Sequence, residues 1–396
     1  MMQDVEDASF ERRVLVVLGM HRSGTSAVTR LLNLLGADLP GDLMPALPEI
    51  NETGFWESEE IADLDDSILA SAGSSWDDLS AFPESWYRSP TAEVYRQRAV
   101  EILEREFSYT PLFVLKDPRF CRLMPFWFSV FESFGAEPSF VIISRHPLEV
   151  ADSLKRRDGF PLAKSLILWL RHLLEAERQT RSSARSFITY NQLLRDWRQV
   201  ADRISRDLEF AWPKGSHRTE IEIESFLSRR LQHHRYDDQE LSGRSDIPVW
   251  VRRAYSAALD ATEGFEAALA AIFDEIRDEL EVADQAFGPL VAAMEGGTIK
   301  QAGQPDVEAP ERGTHFDEVG DEDEGERLGL LESELAHARA KIDRLERRLA
   351  VRDFEIGRLD CELDALDQGI ATLREALETT ENDRRRDLEE IQAIIG

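Results

Sequence analysis

Between Gly19 and Gly24 lie Met20, His21, Arg22 and Ser23, and Thr25 and Ser26 follow at once. Two glycines at this spacing let a backbone turn sharply and aim several N–H groups at one point. Arg22 and the hydroxyls of Ser23, Thr25 and Ser26 add a charge and further donors, so the run suits a phosphate. The residue after Gly24 is Thr25, where an enzyme splitting a nucleoside triphosphate needs a lysine for the β- and γ-phosphates. That argues against ATP or GTP hydrolysis. A second cation, Lys116, precedes Asp117, Pro118 and Arg119. At a strand end beside a phosphate loop, such a lysine can steady negative charge building on a leaving oxygen. A third set is Arg145 with Ser153 eight residues on. A guanidinium grips phosphate with two prongs, and a hydroxyl adds one more donor.

These groups need elements to hold them. Residues 14–18 are continuously apolar, as expected of a strand covered on both faces. Beyond Thr25 the spacing changes to Val28, Leu31, Leu32 and Leu35, one face of a helix, so the glycine turn leads from a strand into a helix N-terminus. Further strands are predicted at 112–116, 139–144 and 187–190. Helices are predicted from Ser58, as N-cap, to 71, over 92–107 and 120–134, from 148, and over 161–185, 191–208 and 249–294. Residues 36–56, 72–91 and 212–250 read as irregular. Strands alternating with helices imply an α/β fold of three layers, with a mainly parallel sheet and a P-loop-like phosphate loop. Polar groups at the carboxyl ends of the strands then share one edge, where ligands of such sheets bind.

Composition bounds the partners. The chain has 396 residues, 42% of them apolar, and a net charge of −30, which disfavours nucleic acid and an anionic membrane as partners. Cys121 and Cys361 are far apart and offer neither a disulfide framework nor a metal spacing, which fits a reducing cytoplasm. No early apolar run suggests a signal peptide or membrane insertion. Residues 1–12 read as a flexible start, 13–295 as the catalytic-type domain and 296–326 as an acidic flexible linker. From 327 to 394 a heptad pattern runs through Leu328, Leu335 and Ile342 to Leu377. A second set runs from Leu331 to Leu373 and is broken only by Arg352. This predicts an α-helical coiled coil, joining the chain into a homo-oligomer, a dimer first of all, or to a partner protein.

The run from His21 to Ser26 resembles the 5′-phosphosulfate loop of sulfotransferases that use 3′-phosphoadenosine 5′-phosphosulfate (PAPS). With Gly54, Phe55, Trp56 and Glu57 following it, the pattern is most similar to the soluble bacterial branch. The resemblance covers about residues 13–295. It implies that His21, Arg22, Ser23, Gly24, Thr25 and Ser26 hold the 5′-phosphosulfate and that Arg145 and Ser153 hold the 3′-phosphate. Tyr190 matches a tyrosine that contacts adenine, or is a buried structural residue. Lys116 resembles the lysine of a Lys-Asp-Pro segment in tyrosylprotein sulfotransferases, and would neutralise the sulfonate and its leaving phosphate. Asp117 and Arg119 are expected to form an ion pair that orients the site.

A sulfuryl transfer needs a base for the acceptor hydroxyl. Cytosolic members place a histidine two residues after the strand-end lysine, where this chain has Pro118. Glu57 is the candidate from the tyrosylprotein branch, with Glu49, Glu52 and Asp117 as alternatives and His21 behind them. The cluster Arg229, Arg230, His233, His234 and Arg235 would fold over the 3′-phosphate or hold an anionic acceptor. No metal is required, because protein donors can supply the charge stabilisation. A carbohydrate hydroxyl, a glycan, is the expected acceptor. Phe55, Trp56, Trp76 and Trp86 would stack on a sugar or close the core. Two other classes compete: an inactive sulfotransferase-like scaffold acting through its coiled coil, and a P-loop kinase.

Overall fold

Strand β1 (Arg12–Leu18) carries apolar side chains on both of its rows, and that places it inside a sheet. Val14, Val16 and Leu18 belong to one buried cluster, Leu15 and Val17 to another. Alternate side chains of a strand point to opposite faces, so both faces of β1 must be covered. The computed structural model describes residues 12–45, 54–227, 236, 241, 244–264 and 266–295. These lie in the first of two compact units of the chain, Met1–Thr314. The predicted linker and coiled coil fall outside the described residues, as does the basic cluster 229–235.

The sheet has the order β2-β1-β3-β4, with β2 at Leu112–Lys116, β3 at Ala136–Ser144 and β4 at Arg185–Thr189. All three pairings are parallel. Val17 lies opposite both Lys116 and Val141, and Ser144 opposite Thr189. The four carboxyl ends therefore share one edge. The chain leaves β1 for a neighbour on one side and later fills the other side, so a crevice opens at that edge.

Helices cover both faces. Helix α1 (Thr25–Leu34) packs Leu31 and Leu32 on the Leu15 side. Helices α2 (Glu59–Ser71), α3 (Pro90–Phe107), α4 (Phe120–Phe134), α5 (Pro147–Asp158) and α6 (Leu162–Gln179) contribute to the cluster on the opposite face. Helices α7 (Tyr190–Arg195), α8 (Trp197–Asp207) and α9 (His217–Phe226) return to the Leu15 side through Leu193, Ile204 and Ile223. Two further helices, Val249–Ala261 and Glu266–Glu295, add to the Val14 cluster through Val251 and Phe273. The result is a three-layer α/β fold on a parallel four-stranded sheet. No described helix is long and apolar enough to cross a membrane.

Several boundaries differ from the periodicity, each for a local reason. Tyr190, expected at the end of β4, opens α7, because Thr189 and Gln192 form a reciprocal capping box. The helix expected over 191–208 breaks at Asp196, whose side chain accepts from the Gln199 amide and caps α8. The helix expected over 161–185 ends at Gln179, since Arg185 already pairs with Phe140 in the sheet. The span 249–294 is two helices, interrupted near Gly264 at a φ of 95°. A short 3-10 turn, Glu84–Arg88, and helix α9 stand in stretches that read as irregular.

Candidate active site

The glycine loop connects β1 to α1. A Cβ on Gly24 would lie 2.3 Å from a ring carbon of Tyr190, and its φ is 94°. Only glycine lets the loop and Tyr190 come this close. At Gly19 a Cβ would meet the Ile143 carbonyl oxygen at 2.6 Å. Gly24 supplies no side-chain cap to the first-turn amides of α1. Ser23 is buried, and its hydroxyl has no partner among the described residues. Arg22 adopts a φ of 69°, a strained choice for an arginine and the kind of cost that functional loops retain.

That backbone turn sends the Arg22 side chain toward α5. Its Nε donates to Ser153 Oγ at 2.7 Å, across 131 residues of sequence. Arg145, at the end of β3, donates from Nη1 to the Arg22 carbonyl oxygen at 3.2 Å. Its Nε donates to Glu149 Oε2 at 2.7 Å, and its guanidinium lies 4.5 Å from the Tyr190 ring centre. The β1 loop and the β3 end are thus one contiguous surface. Arg22 has a pKa lowered to about 10, by burial first and then by the positive charges of Arg157, Arg145 and Arg156. Crowded guanidiniums raise the local positive potential and favour an anion.

Tyr190 is buried under Arg145 and against Gly24, and burial raises its hydroxyl pKa. Arg235 lies outside the described residues. Its neighbour Tyr236 is anchored on α5, its hydroxyl 2.6 Å from Asp152 Oδ2 and its ring stacked 5.5 Å from His146.

Lys116 ends β2 at the other side of the loop. Its ammonium pairs with Glu57 and lies 3.4 Å from Ser26 Oγ. Both members of the pair are buried, Lys116 4% exposed and Glu57 6%. Burial pushes the Glu57 carboxyl up and the Lys116 ammonium down, while each partner's charge resists the change. Glu57 is held in place by a clip beside it. Ser58 caps α2 by accepting from the Ile61 amide and donates to Asp42 Oδ2 at 2.8 Å. The Met44 amide bonds the Glu57 carbonyl at 2.8 Å. Trp56, at a φ of 57°, completes the turn under the Arg30 guanidinium, 4.5 Å above its ring. The alternatives Glu49 and Glu52 lie outside the described residues.

Asp117 and Arg119 stand next to this pair. Arg119 Nη1 bonds both Asp117 oxygens at 3.0 Å, and Arg119 also reaches Asp66 through Nε at 2.5 Å and Nη2 at 2.9 Å. Burial alone would lower the Arg119 pKa, but Asp117 and Asp66 outweigh it and hold the guanidinium charged. Asp117 is therefore engaged in an ion network. Asp66 carries no sequence signal for this role, being one of several acidic residues on a helix. Glu149 has a faint one, four residues after Arg145.

His21 takes a different partner from Arg22. Its ring meets Trp76 edge to face at 4.5 Å, and its Nε2 is shielded without a hydrogen-bond partner among the described residues. Burial, then Arg157, Arg119, His172 and Lys116, hold its pKa well below the usual imidazole range. It is neutral near pH 7. Of the aromatic candidates, Trp76 meets the loop through His21. Trp86 is buried among Phe82, Tyr87 and Phe126, and Trp56 packs beneath Arg30 and against Phe226.

No family model matches the chain, and no curated protein does. Among solved structures it is similar to the sulfotransferase domain from the curacin biosynthetic pathway, at 13% identity over 62% of this chain and 96% of that one, with a TM-score of 0.37. It is also similar to the sulfotransferase domain of a Synechococcus olefin synthase, at 15% identity over 64% and 94%, TM-score 0.36. A sulfotransferase from Mycobacterium tuberculosis matches at 13% identity over 66% and 76%, TM-score 0.34.

Proposed function

We propose that this chain is a sulfotransferase that moves the sulfuryl group of PAPS to a hydroxyl acceptor, with a carbohydrate as the acceptor class to test first. The observation that carries the reading is the bond from Arg22 Nε to Ser153 Oγ at 2.7 Å, with Arg145 on the Arg22 carbonyl. A donor with a phosphate at each end of a nucleoside needs two anion cradles on one surface, and these residues are continuous. The Ser23 hydroxyl, without a partner among the described residues, and the glycine N-cap of α1 fit the 5′ end of such a donor. Arg145 and Ser153 suit the 3′-phosphate, and buried Tyr190 backs both cradles.

The donor supplies an activated sulfuryl group. Glu57 takes the proton as the acceptor oxygen bonds to sulfur, and the bond from sulfur to the phosphate oxygen breaks. Lys116 holds the negative charge left on that phosphate oxygen, and the Arg22 loop shares it. Lys116 and Glu57 neutralise each other at rest. A phosphate oxygen at the Lys116 end competes for the ammonium and releases the carboxylate, whose raised pKa improves it as a base. Asp66, Asp117 and Arg119 keep the Lys116 end of β2 rigid. We further propose that the heptad segment joins two copies; a monomeric mass for the full chain by light scattering would exclude that.

Calorimetry with adenosine 3′,5′-bisphosphate in EDTA tests the reading. Binding is expected without metal, and Arg145→Ala should weaken it about tenfold to a hundredfold, the worth of a charged hydrogen-bonding pair. No binding by the wild-type chain would sink the proposal. Transfer from labelled PAPS to a panel of glycans, with Glu57→Gln as control, then addresses the acceptor.

A further inference from the structure

The stretch between α2 and the Glu84–Arg88 turn meets the phosphate loop through Trp76, and the chemistry above makes no use of it. Neighbouring residues of the glycine loop have different partners: Arg22 bonds Ser153 on α5, and His21 meets Trp76. Among the charges acting on His21, Arg157 leads, followed by Arg119, His172 and Lys116. Trp76 meets its ring edge to face at 4.5 Å. The other side of the indole is occupied too. Phe160, in the turn between α5 and α6, stacks on Trp76 at 5.6 Å with 28° between planes, and the Arg157 guanidinium lies 5.3 Å from the ring.

The stretch is fastened on both flanks. Lys164 on α6 donates to Asp77 Oδ2 at 3.0 Å. Arg122, a buried residue of α4, donates to the carbonyls of Asp78 at 3.2 Å and Ser80 at 2.8 Å. Charged groups from two helices hold one tryptophan against a histidine of the phosphate loop. An ordinary surface connection does not need such anchoring.

A reason follows from the chemistry. Water is a hydroxyl compound, and a base that deprotonates an acceptor can deprotonate water. Its oxygen would bond to sulfur as the bond from sulfur to the phosphate oxygen breaks, giving sulfate, adenosine 3′,5′-bisphosphate and a proton released to solvent. A transferase has to exclude water from that point. We propose that Trp76, wedged between Phe160 and His21, roofs the reacting end and keeps water from the sulfuryl group until an acceptor hydroxyl takes that place. The role rests on the sulfotransferase reading and gives Trp76 a positioning function within it.

The test is sulfate release from radiolabelled PAPS by the full chain with no acceptor present, alongside calorimetry with adenosine 3′,5′-bisphosphate. Trp76→Ala should raise release about tenfold, with nucleotide affinity unchanged, and Trp76→Phe should return it near the wild-type rate. Phe160→Ala, which loosens the roof and leaves Trp76 in place, should give a smaller rise and serves if Trp76→Ala does not fold. Variants that bind nucleotide normally yet release sulfate at the wild-type rate overturn the roof and leave the donor assignment standing. A wild-type chain that binds no adenosine 3′,5′-bisphosphate overturns the donor assignment, and the roof with it.

Discussion

Lys116 and Arg119 are three residues apart, both buried at the end of β2, and both paired with carboxylates, yet their surroundings differ in one respect. Lys116 faces the single carboxylate of Glu57, whereas Arg119 lies between Asp117 and Asp66 and bonds both with several N–H groups. In the first pair burial draws each member toward its neutral form. In the second, two negative charges outweigh burial and keep the guanidinium ionised. The difference teaches that the number of partners, more than burial, decides which buried charge can be diverted to a ligand. A one-to-one pair can exchange partners with a phosphate. A guanidinium bonded on several nitrogens would have to break a network, leaving buried Asp117 beside a second carboxylate.

The sharpest way to break this contrast is Arg119→Ala, which removes the cation shared by Asp66 and buried Asp117. A loss of about 3–5 kcal/mol in urea unfolding is expected, and a loss below about 1 kcal/mol would show the network to be dispensable. Lys116→Met should act in the opposite sense. Glu57 can take up a proton once its partner is gone, so stability should move by about 1 kcal/mol or less. The proposed sulfuryl transfer should fall about a hundredfold to a thousandfold in single-turnover assays. Equal stability losses for the two variants would erase the distinction.

A third measurement titrates the same neighbourhood. His172 has a pKa lowered to about 3, by burial first and then by Arg122. The unfolded chain binds this proton below about pH 6.5 while the folded chain does not, so stability falls as pH drops from 6.5 toward 3. The contribution is about 1.4 kcal/mol per pH unit, and His172→Gln should flatten the unfolding profile by that slope. An unchanged slope would mean that His172 protonates without cost in the fold. The smallest expected effect is at the clip beside Glu57. Ser58→Ala removes the α2 cap and should cost about 1 kcal/mol, with a matching fall in the unfolding midpoint.

Much of the site could be read in one dimension because its parts are local. The four strands, the turn between two glycines and the cap at Ser58 depend on neighbours a few residues away, and periodicity and spacing report such things directly. The break at Asp196 was also local, but a continuing apolar stripe on either side of it masked the capping aspartate. Asp66 and Trp76 are different. The part each plays in the site depends on a partner 53 or 55 residues away.

By itself the sequence determined an alternating α/β chain, a phosphate-type loop at the first turn, and cations at the ends of two later strands. Short-range sterics and the burial of apolar runs are enough to dictate those features. The tertiary structure alone decided that Arg22 and Ser153 touch across 131 residues, that among the described residues Lys116 pairs with one carboxylate while Arg119 pairs with two, and that Trp76 meets His21 of the loop. Those outcomes follow from strand order and helix packing, which bring distant charges within bonding distance and set how many of them meet. No spacing rule along the chain encodes that number.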